Sequence, residues 1–131
     1  MSSAVVLNLR SAVPPYEQIR AQIAGHIAAG TLPPEARLPT VRDLASDLGV
    51  AVGTVQRAYR ELEAAGLVLS RRRHGTSVAP STDVAERGDI RHLAHAFIDQ
   101  ARNFGLSDSA IIDLVRGTLA TGDNMEKLRK P

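Results

Sequence analysis

The 131-residue sequence predicts a mainly α-helical fold with a small β wing, followed by a short C-terminal helical hairpin. One observation is a pair of helical apolar patterns, over residues 41–48 and 51–65, that a tight turn at Gly49 joins. Another is a strand, a basic turn and a return strand over residues 67–79. This order is the one expected of a winged helix-turn-helix, in which one helix enters the major groove of DNA.

Composition limits the classes of protein to which the chain can belong. Hydrophobic residues make up 44% of it and aromatic residues 3%, so a core can form but must be mainly aliphatic. The sequence contains no cysteine, which excludes disulfides, thiolate metal sites and cysteine nucleophiles. No apolar run approaches the ~20 residues of a membrane span, and the N-terminus lacks a secretory pattern. We therefore expect a cytoplasmic protein without a membrane segment.

The charge is distributed unevenly along the chain. Residues 1–80 contain nine Arg and six acidic residues, whereas residues 81–131 contain seven Lys or Arg and eight acidic residues. The first of these segments contains no Lys. Arginine can bind phosphate or guanine through two parallel hydrogen bonds, which the ammonium group of lysine cannot do. The excess is modest and does not by itself establish binding to nucleic acid.

The elements before the turn at Gly49 follow from helix start and stop signals. Residues 1–13 are expected to form an irregular or extended arm, and Pro15 suits the first position of a helix. Apolar residues at helical spacing predict this first helix over residues 16–29. A proline-rich connection then leads to Thr40, which is expected to cap the second helix.

The elements after the wing are predicted to be helical. Residues 81–88 are expected to form a polar linker or a fraying helix start, followed by helices over residues 89–104 and 108–120. Residues 122–131 are polar and basic, and a disordered tail is expected there. The predicted division is an arm at 1–13, a winged helix-turn-helix domain at 14–80, a two-helix region at 81–122 and a basic tail at 123–131.

The C-terminal hairpin presents more apolar surface than two short helices can bury alone. It must pack on the first domain or on a second copy of the chain, and two copies would make a four-helix dimerisation element. A small effector pocket between protomers is the alternative for part of this face, although a hairpin has little room for an enclosed cavity. The residues expected at the dimer interface are Leu93, Phe97, Ala101, Phe104, Ile111, Ile112, Val115 and Leu119.

Residues 16–80 resemble the winged helix-turn-helix domain of the GntR family of bacterial transcription regulators. The matching pieces are the PPYEQI helix start, the connection before Arg37-Leu38-Pro39, the helix with Arg42-Asp43-Leu44-Ala45, the segment VAVGTVQRAYRELEAAG and the His74-Gly75-Thr76 wing tip. The tail HAFIDQARNFGLSDSAIIDLV resembles the two-helix region of the YtrA subfamily. The resemblance implies a homodimeric repressor, without a cofactor, that binds a double-stranded operator of two-fold symmetry; by analogy the target operon encodes a transporter.

The resemblance also implies which residues contact DNA. Arg42, the pair Thr54 and Gln56, and the wing tip occupy positions that contact DNA in the family. Val52 and Gln56 depart from it, since arginine is common at both positions; glutamine favours adenine, and valine can make only an apolar contact, for example with a thymine methyl. With neighbours on the same surfaces, the expected DNA-binding residues are Thr40, Arg42, Val52, Gly53, Thr54, Gln56, Arg57, Arg71, Arg72, Arg73, His74 and Gly75.

Several of these residues have a second interpretation that the sequence leaves open. Thr40 can cap its helix without contacting DNA, and residues 71–73 can be a solvated charged loop. Arg57 can form an ion pair with Glu61, four residues further along the helix. Tyr16 can donate its hydroxyl to a phosphate, although packing is the simpler role.

Other functions receive little support from the sequence. His92 and His95 stand three residues apart on a predicted helix, but two histidines fall short of a zinc site, so we predict no metal. The chain has no nucleophile elbow, phosphate-binding loop or zinc-protease motif, so we predict no enzyme. The alternative to a sequence-specific regulator is a winged-helix module that binds protein, or binds DNA without reading its sequence.

Overall fold

The computed structural model describes residues 5–80 and 84–129, which form two compact units, Met1–Arg87 and Gly88–Pro131. The order of the elements confirms the predicted mainly α-helical fold with a small β wing. No helix in the described part of the chain is long and apolar enough to cross a membrane. In chain order the elements are α1 (Pro15–Ala29), α2 (Val41–Leu48), α3 (Val52–Ala64), β1 (Val68–Arg71), β2 (Gly75–Val78), α4 (Val84–Asn103) and α5 (Asp108–Arg129).

The first helix, α1, begins at Pro15, which confirms the prediction that this proline suits the first position of a helix. Proline is favoured there because its missing N–H would have no partner inside the helix. Ile19, Ile23 and Ile27 recur every four residues, lie on one face of α1 and are all buried. Gly30 ends the helix with a φ of 84°, a left-handed conformation that glycine adopts at low cost.

The described part of the arm before α1 packs along that helix. Val5 is buried in the core, and the side-chain amide of Gln22 accepts from the N–H of Val6 at 2.8 Å and donates to its carbonyl at 2.7 Å. Gln18 makes the same pair of bonds with Asn8, at 2.8 and 2.9 Å. The step from Gln18 to Gln22 is about 6 Å along the helix, and the step from Val6 to Asn8 is about 6.6 Å along the extended arm. Because these distances match, each glutamine lies opposite its partner.

The second helix, α2, has the bounds predicted from the sequence. The Thr40 hydroxyl accepts a hydrogen bond from the backbone N–H of Asp43 at 3.1 Å, which confirms Thr40 as the N-cap. Gly49 follows the helix with a φ of 69° and turns the chain into α3. The predicted helix-turn-helix is therefore present, with its turn at the glycine that the sequence indicates.

The core of the first unit lies between α1, α2, α3 and the wing. Tyr59 is its one aromatic residue, which agrees with the prediction of an aliphatic core. The Tyr59 hydroxyl donates to the carbonyl of Pro39 at 2.7 Å, and burial raises the pKa of that hydroxyl. The buried residues of this core are Val5, Ile19, Ile23, Ile27, Leu38, Leu44, Ala45, Val55, Ala58, Tyr59, Leu62, Val68 and Val78.

Replacing Tyr59 by phenylalanine should lower the free energy of unfolding by about 1 kcal/mol, because the Pro39 carbonyl loses its hydrogen bond. Urea denaturation followed by circular dichroism measures the change. Tyr16→Phe is the matched control, since no described group bonds to the Tyr16 hydroxyl, and it should leave stability unchanged. A Tyr59→Phe variant as stable as the wild type would contradict this role for the hydroxyl.

The wing is an antiparallel pair in which Val68 lies opposite Val78 and Arg71 opposite Gly75. β1 begins one residue after the predicted start of the wing at residue 67, and β2 ends one residue before its predicted end at residue 79. Residues 35–38 bond the other edge of β2 through Val78 N to Ala36 O at 2.8 Å and Leu38 N to Thr76 O at 2.9 Å. Because β2 is hydrogen-bonded on both sides, the turn at its start is fixed to the body of the domain.

The second unit is more helical than the sequence predicted. For residues 81–88 the alternative of a helix start is confirmed from Val84, where α4 begins, and the linker alternative is wrong from that residue onward. The disorder prediction for residues 122–131 is wrong as far as Arg129, where α5 ends. Residues 81–83 and 130–131 lie outside the described residues. No proline interrupts residues 84–88 or residues 122–129. One internal glycine costs a helix only about 1 kcal/mol relative to alanine.

The turn between α4 and α5 is closed by local polar contacts. Gly105 has a φ of 87°. The Ser107 hydroxyl caps α5 by accepting a hydrogen bond from the N–H of Ala110 at 3.1 Å. Arg102 and Asp108 form an exposed ion pair across the turn at 3.1 Å. Exposed pairs of this kind contribute only modestly to stability, so the ion pair mainly orients the turn.

Candidate nucleic-acid interface

The outward face of α3 presents three of the predicted DNA-binding residues together. Val55, Ala58, Tyr59 and Leu62 are buried, so the opposite side of the helix faces solvent. Val52 and Gln56 are four residues apart and therefore lie on the same side. Gly53 lies beside them, and Val52 is 46% exposed.

Thr54 is less favourably placed than the sequence suggested. It is half-buried, and residues two apart on a helix do not face each other, so Thr54 does not share the side that carries Gln56. A Thr54 contact with DNA therefore stays a prediction and would have to be made from the edge of α3.

Gly53 is not required by the fold of the domain. A Cβ atom added there would meet nothing within 4 Å, and its φ is not in the left-handed region. Glycine inside a helix costs about 1 kcal/mol relative to alanine. A missing side chain does, however, allow another molecule to approach the helix backbone closely, which suits a helix that enters a groove.

The start of α2 presents Arg42 to solvent in the first turn of the helix. Thr40 is exposed as well, but its oxygen already accepts from the N–H of Asp43. The capping interpretation of Thr40 is thereby confirmed, whereas contact with DNA stays a prediction for both residues. Arg42 keeps its guanidinium free of any described ion pair within residues 5–80 and 84–129.

The tip of the wing is a cluster of exposed positive charge. Residues 71–75 are all exposed, and no described carboxylate lies within ion-pair distance of the three arginine side chains. Gly75 has a φ of 71°, which the turn requires. An exposed basic loop with fixed ends is the arrangement that a winged helix uses to contact the DNA backbone or minor groove.

Arg37 fixes this tip, and sequence analysis did not identify that role. Its guanidinium Nη2 donates to the carbonyl of His74 at 2.8 Å. Arg37 also pairs with Ser77 through an isolated β-bridge on the edge of β2 that faces away from β1. The contact joins residues 37 positions apart, so no local pattern could have revealed it.

Arg57 lies over an aromatic ring at the start of α1, and its predicted contact with DNA stays a prediction. The alternative ion pair with Glu61 is wrong, because the two side chains form no ion pair in the structure. The guanidinium of Arg57 instead lies over the ring of Tyr16, with Cζ 3.7 Å from the ring centroid. A cation stacked on an aromatic face at this distance is attracted by the ring quadrupole.

The second unit carries the apolar residues predicted at a dimer interface, but not all of them are available. Ala101 and Ile111 lie near the turn and are already buried in the single chain. The other six are exposed, with Phe104 at 85% and Leu119 at 72%. Part of this face forms an open groove of about 460 Å³ lined by Phe97, Leu114, Val115, Thr118 and Leu119.

His92 and His95, the two histidines with a spacing close to that of metal ligands, are both exposed on α4. Across the described ranges, no three His, Cys, Asp or Glu side chains are grouped closely enough to hold a metal ion. The two histidines therefore lack the further ligands that a zinc site needs.

Comparison with known proteins places these features in a family. Residues 15–78 match the family model described as bacterial regulatory proteins, gntR family. The chain is 44% identical, over 79% of its length and 84% of the relative's, to the HTH-type transcriptional regulator Rv1152 of Mycobacterium tuberculosis. Its structure resembles YtrA from Sulfolobus acidocaldarius, a GntR-family transcription factor, with a TM-score of 0.57 at 35% identity, covering 72% of this chain and 99% of that one.

A further solved structure that resembles the chain contains DNA. It is the DNA-binding domain of AraR in complex with operator ORX1, with a TM-score of 0.51 at 30% identity. The match covers 56% of this chain and 92% of the AraR chain. The fold that carries the exposed face of α3 is thus one that is found bound to an operator.

Proposed function

This chain belongs to the gntR family of bacterial regulatory proteins and is a DNA-binding transcription regulator, and we propose that it is a homodimeric repressor acting at a two-fold symmetric operator. The observation that supports this most directly is the outward face of α3, where Val52, Gly53 and Gln56 lie together without a protein partner. We propose no enzymatic activity, since the family and the relatives are transcription regulators.

In the proposed complex, α3 lies in the major groove with its N-terminal residues on base edges. Gln56 would hydrogen-bond adenine, and Val52 would pack on a thymine methyl, so this protein would favour A·T pairs where family members with arginine favour guanine. Arg42 and the wing arginines would bind flanking phosphates or the minor groove.

The exposed apolar face of α4 and α5 supports the proposed homodimer. Six large apolar residues that lie open to water in one chain are expected to be covered by a second copy. A dimer would place two copies of α3 in successive major grooves, about one helical turn apart, which requires an operator with two-fold symmetry.

Repression would follow from occupancy of the operator, which excludes RNA polymerase. Release would require a signal that changes the spacing or angle of the two α3 helices. The groove at Phe97 and Leu119 lies on the proposed dimer face, so a small apolar effector bound there would act on that spacing.

The proposal is tested by measuring binding to the DNA upstream of the protein's own gene. Fluorescence anisotropy with a salt titration and scrambled-duplex competition should show a preference of ~10³-fold or more for the specific site at physiological salt. Binding that scrambled DNA removes equally well at every tested upstream fragment would instead favour a module that binds DNA without reading its sequence.

A further inference from the structure

The stack of Arg57 on Tyr16 joins the recognition helix to the start of α1. Tyr16 is the second residue of α1, and Arg57 lies in the middle of α3. Arg20 lies one turn after Tyr16 on α1. Its pKa is raised mainly by its hydrogen bond with Glu17 and to a lesser extent by the charge of Glu61, which lies one turn after Arg57 on α3. The start of α1 therefore lies beside the middle of α3.

The guanidinium of Arg57 has donors that the protein does not use. Within residues 5–80 and 84–129, no group accepts a hydrogen bond from Arg57. Arg20 and Arg37 differ, because Glu17 holds the first at 2.6 to 2.9 Å and the His74 carbonyl holds the second at 2.8 Å. The stack occupies only the flat face of Arg57, and its N–H groups lie in the plane and stay available.

The stack also determines which part of a bound duplex Arg57 can reach. Arg57 follows Gly53 by four residues and so lies on the same side of α3, one turn further from its N-terminus. The contact with Tyr16 holds the side chain against the start of α1. When a helix occupies the major groove, a cation held at one edge of that helix lies close to the sugar-phosphate backbone.

We propose that Arg57 binds a DNA backbone phosphate and that Tyr16 is its positioning residue, acting through the face of its ring. A free arginine side chain loses rotamer freedom when it binds, and a side chain that is already stacked loses less. The inference rests on the proposed function only in taking duplex DNA as the partner. It assigns Arg57 a contact that does not distinguish one sequence from another.

The test compares four single variants on both the operator and a random duplex, with affinity measured across a salt series. Arg57→Gln should weaken binding to both duplexes by the same factor and reduce the slope of log affinity against log salt by about 0.9 per bound protomer. Tyr16→Phe keeps the ring and should behave as wild type. Tyr16→Leu removes the ring and should weaken binding about 3-fold to 10-fold, because the unstacked arginine then loses more rotamer freedom when it binds.

A matched charge control and a double variant complete the design. Arg116→Gln removes the same charge from an exposed residue of α5, outside the winged helix-turn-helix, and it should change the slope less than Arg57→Gln. Tyr16→Leu should have no further effect on affinity once Arg57 is glutamine. Thermal melting of each variant distinguishes a lost contact from a lost fold, because a purely structural stack would change melting without changing the salt slope.

Three results would overturn the inference: an unchanged slope for Arg57→Gln, an equal slope change for Arg116→Gln, or an effect of Tyr16→Phe as large as that of Tyr16→Leu. The random duplex keeps this test separate from the proposed function. A slope change without any operator preference would support the phosphate contact and contradict specific repression. Operator preference with an unchanged slope would contradict the phosphate contact alone, and no binding to either duplex would contradict both.

Discussion

Placing a glutamate at Leu119 should convert the protein from a dimer to a monomer and weaken operator binding by ~100-fold or more. Leu119 is 72% exposed in the single chain and lines the groove on the apolar face of α5. The charge would be tolerated in a monomer, where water reaches it, but would be buried without a partner in a dimer. A dimer binds its second half-site at high effective concentration, and a monomer loses that advantage.

Sedimentation equilibrium and operator titration measure the two effects. Ala120→Glu is the matched control, because it adds the same charge at the next residue, which is exposed on the side of α5 that carries Asp113 and Arg116. The control should remain dimeric with unchanged affinity. A Leu119→Glu protein that stays dimeric would place the dimer contact elsewhere.

Replacing Gln56 by alanine should remove the preference for one base pair in each half-site, at a cost of about 1–3 kcal/mol for that pair. Gln56 is exposed beside Val52 on the outward face of α3, and an amide that bonds adenine has no equivalent in alanine. The affinity for the matched operator should fall, so that the variant binds this operator no more tightly than an operator changed at that base pair.

The measurement is a set of titrations against operators in which each base pair of a half-site is changed in turn. Glu63→Ala is the control, since Glu63 is exposed on α3 about two turns nearer its C-terminus, and its removal should leave base preference unaltered. If Gln56→Ala weakened every duplex by the same factor, Gln56 would contact the backbone instead of a base.

The parts of the fold that the sequence predicted are those specified by local signals. A capping threonine and a terminal glycine set both ends of α2, and the predicted bounds of that helix agree with the structure. The apolar spacing of α1 and α3 likewise identified the faces that are buried. These signals act within one or two turns, so a single sequence contains them.

The parts that the sequence did not reveal depend on contacts between distant residues. Arg57 was expected to contact DNA or to pair with Glu61; the described residues contain no such ion pair, and Arg57 stacks on Tyr16, which is remote in sequence. The bond from Arg37 to the wing is of the same kind, and no spacing rule reports it. In the second unit, Ala101 and Ile111 were assigned to a dimer interface, although folding of one chain already buries them.

The central claim is that two copies of this domain bind one symmetric operator through α3 and the wing. Hydroxyl-radical footprinting of the operator by the purified protein tests it most directly. The account predicts two protected segments related by two-fold symmetry and centred about one helical turn, ~10 base pairs, apart. A single protected segment, or protection that spreads equally over scrambled DNA, would contradict it.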